Sequence, residues 1–179
     1  MNKEELRRKY RFIRKNISKK ELKDNIIYNK IINNENILNC DIVLIYVSNS
    51  EEINTLNIIN RLLNTKKVAV PKIENNQMNF YFIKSLNELE KGYFNILEPT
   101  TKNKVSNFNN TVCITPGICY SYSKYRIGYG KGFYDRFFNE NNVYKIGLCY
   151  KECLINEVFN DKYDIKVDEI ITDNRKKVL

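Results

Sequence analysis

The chain has no histidine and no tryptophan in 179 residues, and only one alanine, Ala69. Without histidine, imidazole acid–base catalysis and histidine metal sites are excluded. Long apolar runs are also missing. The longest, such as Ile42–Val47, fall far short of the ~20 residues that span a bilayer. No apolar stretch follows the first Met, which argues against a secretory signal and for a cytoplasmic protein. None of the five cysteines, Cys40, Cys113, Cys119, Cys149 and Cys153, has a C-x-x-C partner. An odd number without that spacing argues against a disulfide framework and for buried free thiols. Negative charge is scarce: 30 Lys and Arg face 21 Asp and Glu, leaving a net +9. That balance suits an anionic partner: nucleic acid, nucleotide, polyanionic metabolite or acidic membrane. The 28 Asn beside one Ala read as AT-rich coding bias, so Asn is a weak turn signal here.

What remains is globular. Hydrophobic residues at 42% and charged residues at 28% suit a single domain, residues 1–179, with a real core. Leu6, Tyr10, Ile13 and Ile17 recur at helical spacing. Ser18 and Glu21 read as a capping box opening a second helix with Leu22, Ile26, Ile27 and Ile31 on its apolar face. These two helices form an expected hairpin over residues 1–38. Beyond it, Asp41–Val47, Lys67–Val70, Met78–Ile83, Val112–Thr115, Tyr144–Cys149 and Glu169–Thr172 read as strands. Pro71 is expected to stop the second and Pro116 the fourth. Helical spacing marks Ile53–Leu63, Leu86–Glu90 and Phe133–Asn139, with Gly92–Pro99 irregular and Gly117–Gly132 a long loop. The alternation predicts an α/β fold: a three-layer sandwich with a mostly parallel sheet, preceded by the N-terminal helical hairpin. Its C-terminal rim would gather Glu52, Lys72 and the glycine loop, where open α/β sheets bind ligands.

The densest signal is Thr115–Phe137, TPGICYSYSKYRIGYGKGFYDRF. Gly128, Gly130 and Gly132 alternate, with Lys131 between the last two. Such glycines let backbone amides approach an anion, and a helix starting beyond them adds its positive end. Arg126 and Lys131 add full charges, and Asp135 is placed to hold a Mg²⁺ that bridges phosphates. This reads as a triphosphate site. It is neither a Walker A loop nor a G-x-G-x-x-G fingerprint. The tyrosine–basic interleaving also suits an RNA or single-stranded DNA surface, but leaves Asp135 and the strand alternation without a role.

The segment P-G-x-x-[FY] followed by R-[IL]-G-x-G-x-G-[FY]-Y-D-R, here Pro116–Tyr120 and Arg126–Arg136, resembles the 5-formyltetrahydrofolate cyclo-ligase family. Lys3–Arg7 resembles its K-x-x-L-R, Glu52–Thr55 its E-[VI]-x-T and Val68–Lys72 its strand ending in P-K. Glu98-Pro99, Ile146–Leu148 and Lys166–Asp168 resemble further family pieces, so the likeness covers nearly the whole chain. Ser121, Lys124, Asn95, Cys153 and Tyr163 depart from the family pattern, Lys124 and Asn95 at positions where it carries glycine.

The resemblance implies an ATP- and Mg²⁺-dependent ring closure of 5-formyltetrahydrofolate to 5,10-methenyltetrahydrofolate, releasing ADP and phosphate through a phosphorylated formyl intermediate. The site residues follow from it. Arg126, Lys131 and Tyr134 are the expected catalytic residues. Lys3, Arg7, Arg126, Gly128, Tyr129, Gly130, Lys131, Gly132, Phe133, Tyr134 and Asp135 would bind ATP. Glu52, Ile53 and Tyr134 would hold the folate, with Leu56 and Phe94 as further apolar walls. Asp135 and Asp168 would hold Mg²⁺. The expected partners are the folate, polyglutamylated or not, and ATP, with no nucleic acid, no membrane and a monomeric state. A nucleotide- or sugar-phosphate-binding relative without cyclo-ligase activity is the alternative within the same fold.

Overall fold

The structure is a computed structural model that describes residues 1–92, 95–157 and 159–175. Helix α1 spans Lys3–Lys15 and opens with a capping box: the Asn2 side chain accepts from the Glu5 amide while the Glu5 side chain accepts from the Asn2 amide. Helix α2 spans Lys20–Ile32 and α3 spans Glu35–Asn39, capped by Asn34. The Ser18 capping box does not form. Lys19 is the N-cap instead, in the left-handed region at φ 53° with no side-chain cap. The short reversal after α1 demands that conformation, and it takes the place of the extended Ncap backbone that a capping box uses.

Strand β1 covers Ile42–Ile45, α4 Leu56–Leu62, β2 Lys67–Glu74 and β3 Gln77–Ile83. Pro71 does not stop β2. Ala69 is the last β2 residue paired with β1, and Pro71 lies past it, paired only with Phe80 of β3. A strand with one free side tolerates a residue without N–H. The β2–β3 turn is made by Asn75 and Asn76, both at positive φ (49° and 61°). That is the backbone a tight two-residue hairpin needs, and asparagine tolerates it.

A 3-10 turn, Leu86–Glu88, then leads into β4, Leu89–Lys91, which pairs with β5, Leu97–Pro99. The expected helix is therefore only its first turn, and part of the supposed irregular segment is strand. Strand β6 covers Thr111–Thr115, β7 Cys119–Ser121 and β8 Arg126–Ile127. The expected loop after Pro116 thus begins as an antiparallel hairpin. Lys124 sits in its turn at φ 71°, and Asn95 sits at φ 58°. Both departures from family glycines therefore fall on left-handed backbone. Helix α5 spans Phe133–Glu140, β9 Tyr144–Cys149, β10 Leu154–Ile155 and β11 Glu169–Thr172.

The main sheet has the order β11-β9-β6-β1-β2-β3. Its first five strands are parallel, and β3 adds an antiparallel edge. The parallel strands are buried on both faces over their central residues, which is why short apolar runs mark them in the sequence. Val43 and Ile45 pack with Leu6 of α1, Ile27 and Ile31 of α2 and Ile58 of α4. Leu44 packs on the other face with Phe80, Cys113, Phe137 and Phe138 of α5. Helices thus cover both faces in three layers, as expected. Helix α1 rests on β8 and the 3-10 turn Lys151–Cys153, and α2 on α4, α3 and β11, so the N-terminal helices are built into the body.

Gly147 in β9 has a packing reason. The buried ring of Tyr120 lies against it, and an added Cβ would sit 2.4 Å from that ring. The Tyr120 hydroxyl donates to the Thr115 carbonyl at 2.8 Å, pinning the small β7 sheet over the end of β6.

The chain leaves β1 toward β2 and leaves β6 toward β9, so the winding direction reverses between β1 and β6. In a doubly wound sheet, the crevice at such a reversal is the natural ligand site. Glu52 follows β1 and Gly117 follows β6.

Candidate active site

Glu52 and the glycine loop meet at this crevice. Glu52 is buried at 7% exposure. Its Oε2 accepts from the Asn49 amide at 2.9 Å, and its Oε1 accepts from the Tyr129 hydroxyl at 2.6 Å. Tyr129 therefore carries its side chain to the expected folate side, although it lies between Gly128 and Gly130 of the nucleotide loop. Burial pushes its hydroxyl up to about 12, and the Glu52 carboxylate adds to the shift. Ile53 is buried beside Glu52 and lines a small cavity with Arg14, Tyr46, Gly117 and Tyr150. Leu56 packs on the same core from a half-buried position. Phe94 lies outside the described residues.

Arg14 was not singled out by the motif reading. It is buried at 5%. Nη2 donates to the Tyr129 hydroxyl at 2.7 Å and Nη1 to the Gly117 carbonyl at 3.2 Å. Its guanidinium also lies 5.6 Å from the centre of the Tyr129 ring. The sequence held a signal for it: Leu6, Tyr10 and Arg14, the buried residues of α1, recur every four residues, so Arg14 continues the inward stripe.

The glycine loop is held from α1. Arg7 Nε donates to the Gly128 carbonyl at 2.9 Å, while its Nη1 meets Glu4 at 3.0 Å. Gly130 and Gly132 sit at positive φ, 90° and 68°, where a side chain is strained. At Gly130 a Cβ would also crowd the Arg7 guanidinium, at 3.2 Å. Gly132 is the residue from which α5 starts, followed by Phe133 and Tyr134. Lys131 is exposed, and its side chain has no hydrogen bond or ion pair among the described residues. Lys3 does not reach the loop. Its Nζ lies 2.7 Å from Asp161 and 2.6 Å from Asp164. Lys72 stays within β2, 4.0 Å from Glu74.

Arg126 and Asp135 pair with each other, Nη2 to Oδ1 at 3.0 Å. The Arg126 guanidinium lies 5.5 Å from the Tyr134 ring centre and 5.9 Å from that of Phe138. Asp135 also accepts from the Ile165 amide at 3.1 Å. Burial pushes the Tyr134 hydroxyl well above its ordinary value, and it makes no hydrogen bond among the described residues. Lys145 also lies near Phe138, with Nζ 5.7 Å from the ring centre and 3.0 Å from Asp168. The Lys145 amide donates to Asp168 at 2.7 Å. Two carboxylates are thus each paired to a cation that lies near the Phe138 ring.

Among the described residues no three His, Cys, Asp or Glu converge as a ready-made metal cage. Mg²⁺ does not need one: it takes one or two carboxylates and completes its shell with phosphates and water. Asp135 Oδ2 and Asp168 Oδ1 accept no hydrogen bond among the described residues. The donor set therefore suits that ion. All five cysteines are free and buried.

The sequence matches the 5-formyltetrahydrofolate cyclo-ligase family over residues 1–173. It is 29% identical over 188 residues to the probable 5-formyltetrahydrofolate cyclo-ligase of Caenorhabditis elegans, covering 94% of this chain and 91% of the relative. It is 25% identical over 162 residues to the 5-formyltetrahydrofolate cyclo-ligase of Mus musculus, covering 82% and 80%. The fold superposes on 5,10-methenyltetrahydrofolate synthetase of Aquifex aeolicus with a TM-score of 0.86 at 28% identity, over 98% of this chain and 91% of the other. The synthetase of Mycoplasma pneumoniae shares the fold, with a TM-score of 0.79 at 21% identity over 97% and 100%. The switch-point crevice, the glycine loop and these likenesses agree: the chain belongs to the 5-formyltetrahydrofolate cyclo-ligase family.

Proposed function

We propose that this protein closes 5-formyltetrahydrofolate to 5,10-methenyltetrahydrofolate at the expense of ATP. The observation that carries the reading is the Tyr129–Glu52 contact of 2.6 Å. It brings a buried carboxylate, suited to the N–H donors of a pterin, against a glycine loop suited to phosphates. Bound side by side there, the formyl group and the terminal phosphate are neighbours.

The formyl oxygen attacks the γ-phosphorus, and the bond to ADP breaks. The resulting phosphorylated iminium carbon is captured by N10, which gives up its proton. The carbon–oxygen bond then breaks and phosphate leaves. An amide oxygen is a poor leaving group until it is phosphorylated, so the nucleotide is spent on that step. The protein's part is positioning and charge neutralisation, which needs no imidazole. Lys131 neutralises the phosphates, and Gly128, Gly130 and Gly132 bring backbone amides to them. Arg7 holds the loop through Gly128 and Lys3 fixes the start of α1. Arg126 and Asp135 store a guanidinium and a carboxylate as one pair. With a nucleotide bound, Arg126 would be free to meet its phosphates, and Asp135 would be free to help hold the metal. Asp135 and Asp168 would hold Mg²⁺, whose chemistry is to shield the negative charge of the phosphates. Tyr134 offers its hydroxyl to the formyl oxygen. Glu52 and Ile53 hold the pterin. We take the protein to act as a cytoplasmic monomer.

The test is an absorbance assay with 5-formyltetrahydrofolate and Mg²⁺, with and without ATP. An ATP-dependent rise of the methenyl chromophore in the near ultraviolet is the expected result. Nucleotide binding without that rise would favour a phosphate-binding relative of another activity.

A further inference from the structure

The hydrogen-bond chain from Arg14 has only one possible direction. A guanidinium donates and never accepts, and a tyrosine hydroxyl has a single proton. Arg14 Nη2 donates to the Tyr129 oxygen, so the Tyr129 proton must point to Glu52. The Asn49 amide donates to the other Glu52 oxygen. Both oxygens of the carboxylate are thereby fixed as acceptors, in one plane and one orientation. Their remaining lone pairs face any ligand as acceptors too.

The arrangement is costly for packing alone. Arg14 is buried with its Nε–H lacking a partner among the described residues, and a buried guanidinium is seldom more stable than an apolar side chain of similar volume. Leu or Met at this point of the inward α1 stripe would suit the core better.

We infer that Arg14 is a positioning residue for the folate side of the site, acting through Tyr129 to hold Glu52 as a fixed acceptor for the pterin N–H groups. This rests on the reading of Glu52 as the pterin anchor. Arg14 touches neither substrate in this account. Its second contact, to the Gly117 carbonyl, ties the same guanidinium to the end of β6, across the crevice from Glu52.

The test is a binding cycle on the full-length protein. Affinities for 5-formyltetrahydrofolate alone, and for a non-hydrolysable ATP analogue with Mg²⁺ alone, are measured by titration calorimetry. The variants are Tyr129→Phe, Glu52→Gln, their combination, and Arg14→Lys with and without Tyr129→Phe. Tyr129→Phe is expected to weaken folate binding about tenfold and to leave the nucleotide analogue unchanged. Added to Glu52→Gln it should cost little more, because the hydroxyl has lost its charged partner. Arg14→Lys should weaken folate binding on its own and add nothing to Tyr129→Phe. Full additivity of Tyr129→Phe and Glu52→Gln, or equal losses toward folate and nucleotide, would overturn the inference. If Arg14→Lys fails to fold, Arg14→Gln, whose side-chain amide can still donate to the Tyr129 oxygen, is measured in its place with and without Tyr129→Phe, and full additivity with Tyr129→Phe would overturn the inference. A Glu52→Gln protein with unchanged folate affinity would instead remove the anchor reading itself, and the single variant reveals that separately.

Discussion

Arg126 Nη2 lies 3.0 Å from Asp135 Oδ1, in a site where the guanidinium side chain is 5% exposed and the carboxylate 22%. Two residues that the motif reading assigned separately, one to phosphate and one to metal, neutralise each other in the free protein. Removing one charge strands the other in a desolvated place. Asp135→Asn should therefore destabilise the fold by about 3 kcal/mol as well as impair turnover. Urea unfolding of the variant measures the first effect, and a midpoint equal to that of the parent would contradict the pairing.

Lys131 is the opposite case. Its side chain is exposed and has no partner among the described residues, so nothing in the fold depends on it. Lys131→Ala should unfold within about 0.5 kcal/mol of the parent, while the KM for ATP rises at least about tenfold. Steady-state kinetics at saturating folate check this. Near-parental kinetics in the folded variant would remove Lys131 from the phosphate site.

The start of α1 is tied to the 161–164 segment by Lys3, and this tie has a defined pH window. Burial lowers the Lys3 ammonium, but the hydrogen bonds it donates to Asp161 and Asp164 outweigh that effect, leaving the group above its ordinary 10.5. The Lys3 contact in turn holds Asp161 below its ordinary 3.8. A raised lysine contributes fully below its unfolded value and loses its contribution as pH rises through the folded one. A depressed carboxylate contributes above its unfolded value and loses its contribution as pH falls through the folded one. The docking of α1 should thus be constant between about pH 4 and pH 10 and weaken outside that range. Hydrogen-exchange protection of the α1 amides, corrected for intrinsic rates, reads it out.

The five thiols should be silent in the native state. All are buried, and burial pushes Cys113 and Cys153 up to about 12 and Cys119 and Cys149 upward as well. Thiolate is the reactive form. A chromogenic disulfide reagent should titrate none of them at neutral pH and all five after denaturation. Rapid native labelling of any one would contradict the packing described for it.

Much of the fold was legible because its parallel strands are buried on both faces. Ile42–Ile45 and the buried part of β9, Ile146–Cys149, need residues without charge at consecutive positions, and such a run survives in the sequence whatever packs on it. The N-terminal stripe through Leu6 and Tyr10 was readable for the same reason. What failed was local punctuation. Pro71 lies inside a strand because the β1 side is unpaired there, and pairing is a tertiary fact. Ser18 had the residues of a cap but not the backbone. Asn75 and Asn76, discounted against a background rich in asparagine, make the β2–β3 turn.

In the candidate site the meeting of segments was legible, and the partners of each side chain were not. Glu52 and the glycine loop meet as the strand pattern suggested. That Tyr129 turns to Glu52 and that Lys145 holds Asp168 are contacts between segments apart in sequence, for which spacing carries no signal, while Arg126 and Asp135 share one motif whose spacing does not show that they pair. Arg14 was visible only as the next step of a stripe whose earlier members are apolar.

The proposed function stands or falls on whether the γ-phosphoryl group passes to the formyl oxygen within this crevice. It is tested most directly with 5-formyltetrahydrofolate carrying ¹⁸O in the formyl group, allowed a single turnover with ATP and Mg²⁺, with the released phosphate analysed by mass spectrometry. The account predicts one labelled oxygen in the inorganic phosphate and none in ADP. Unlabelled phosphate, released while the methenyl product forms, would contradict it.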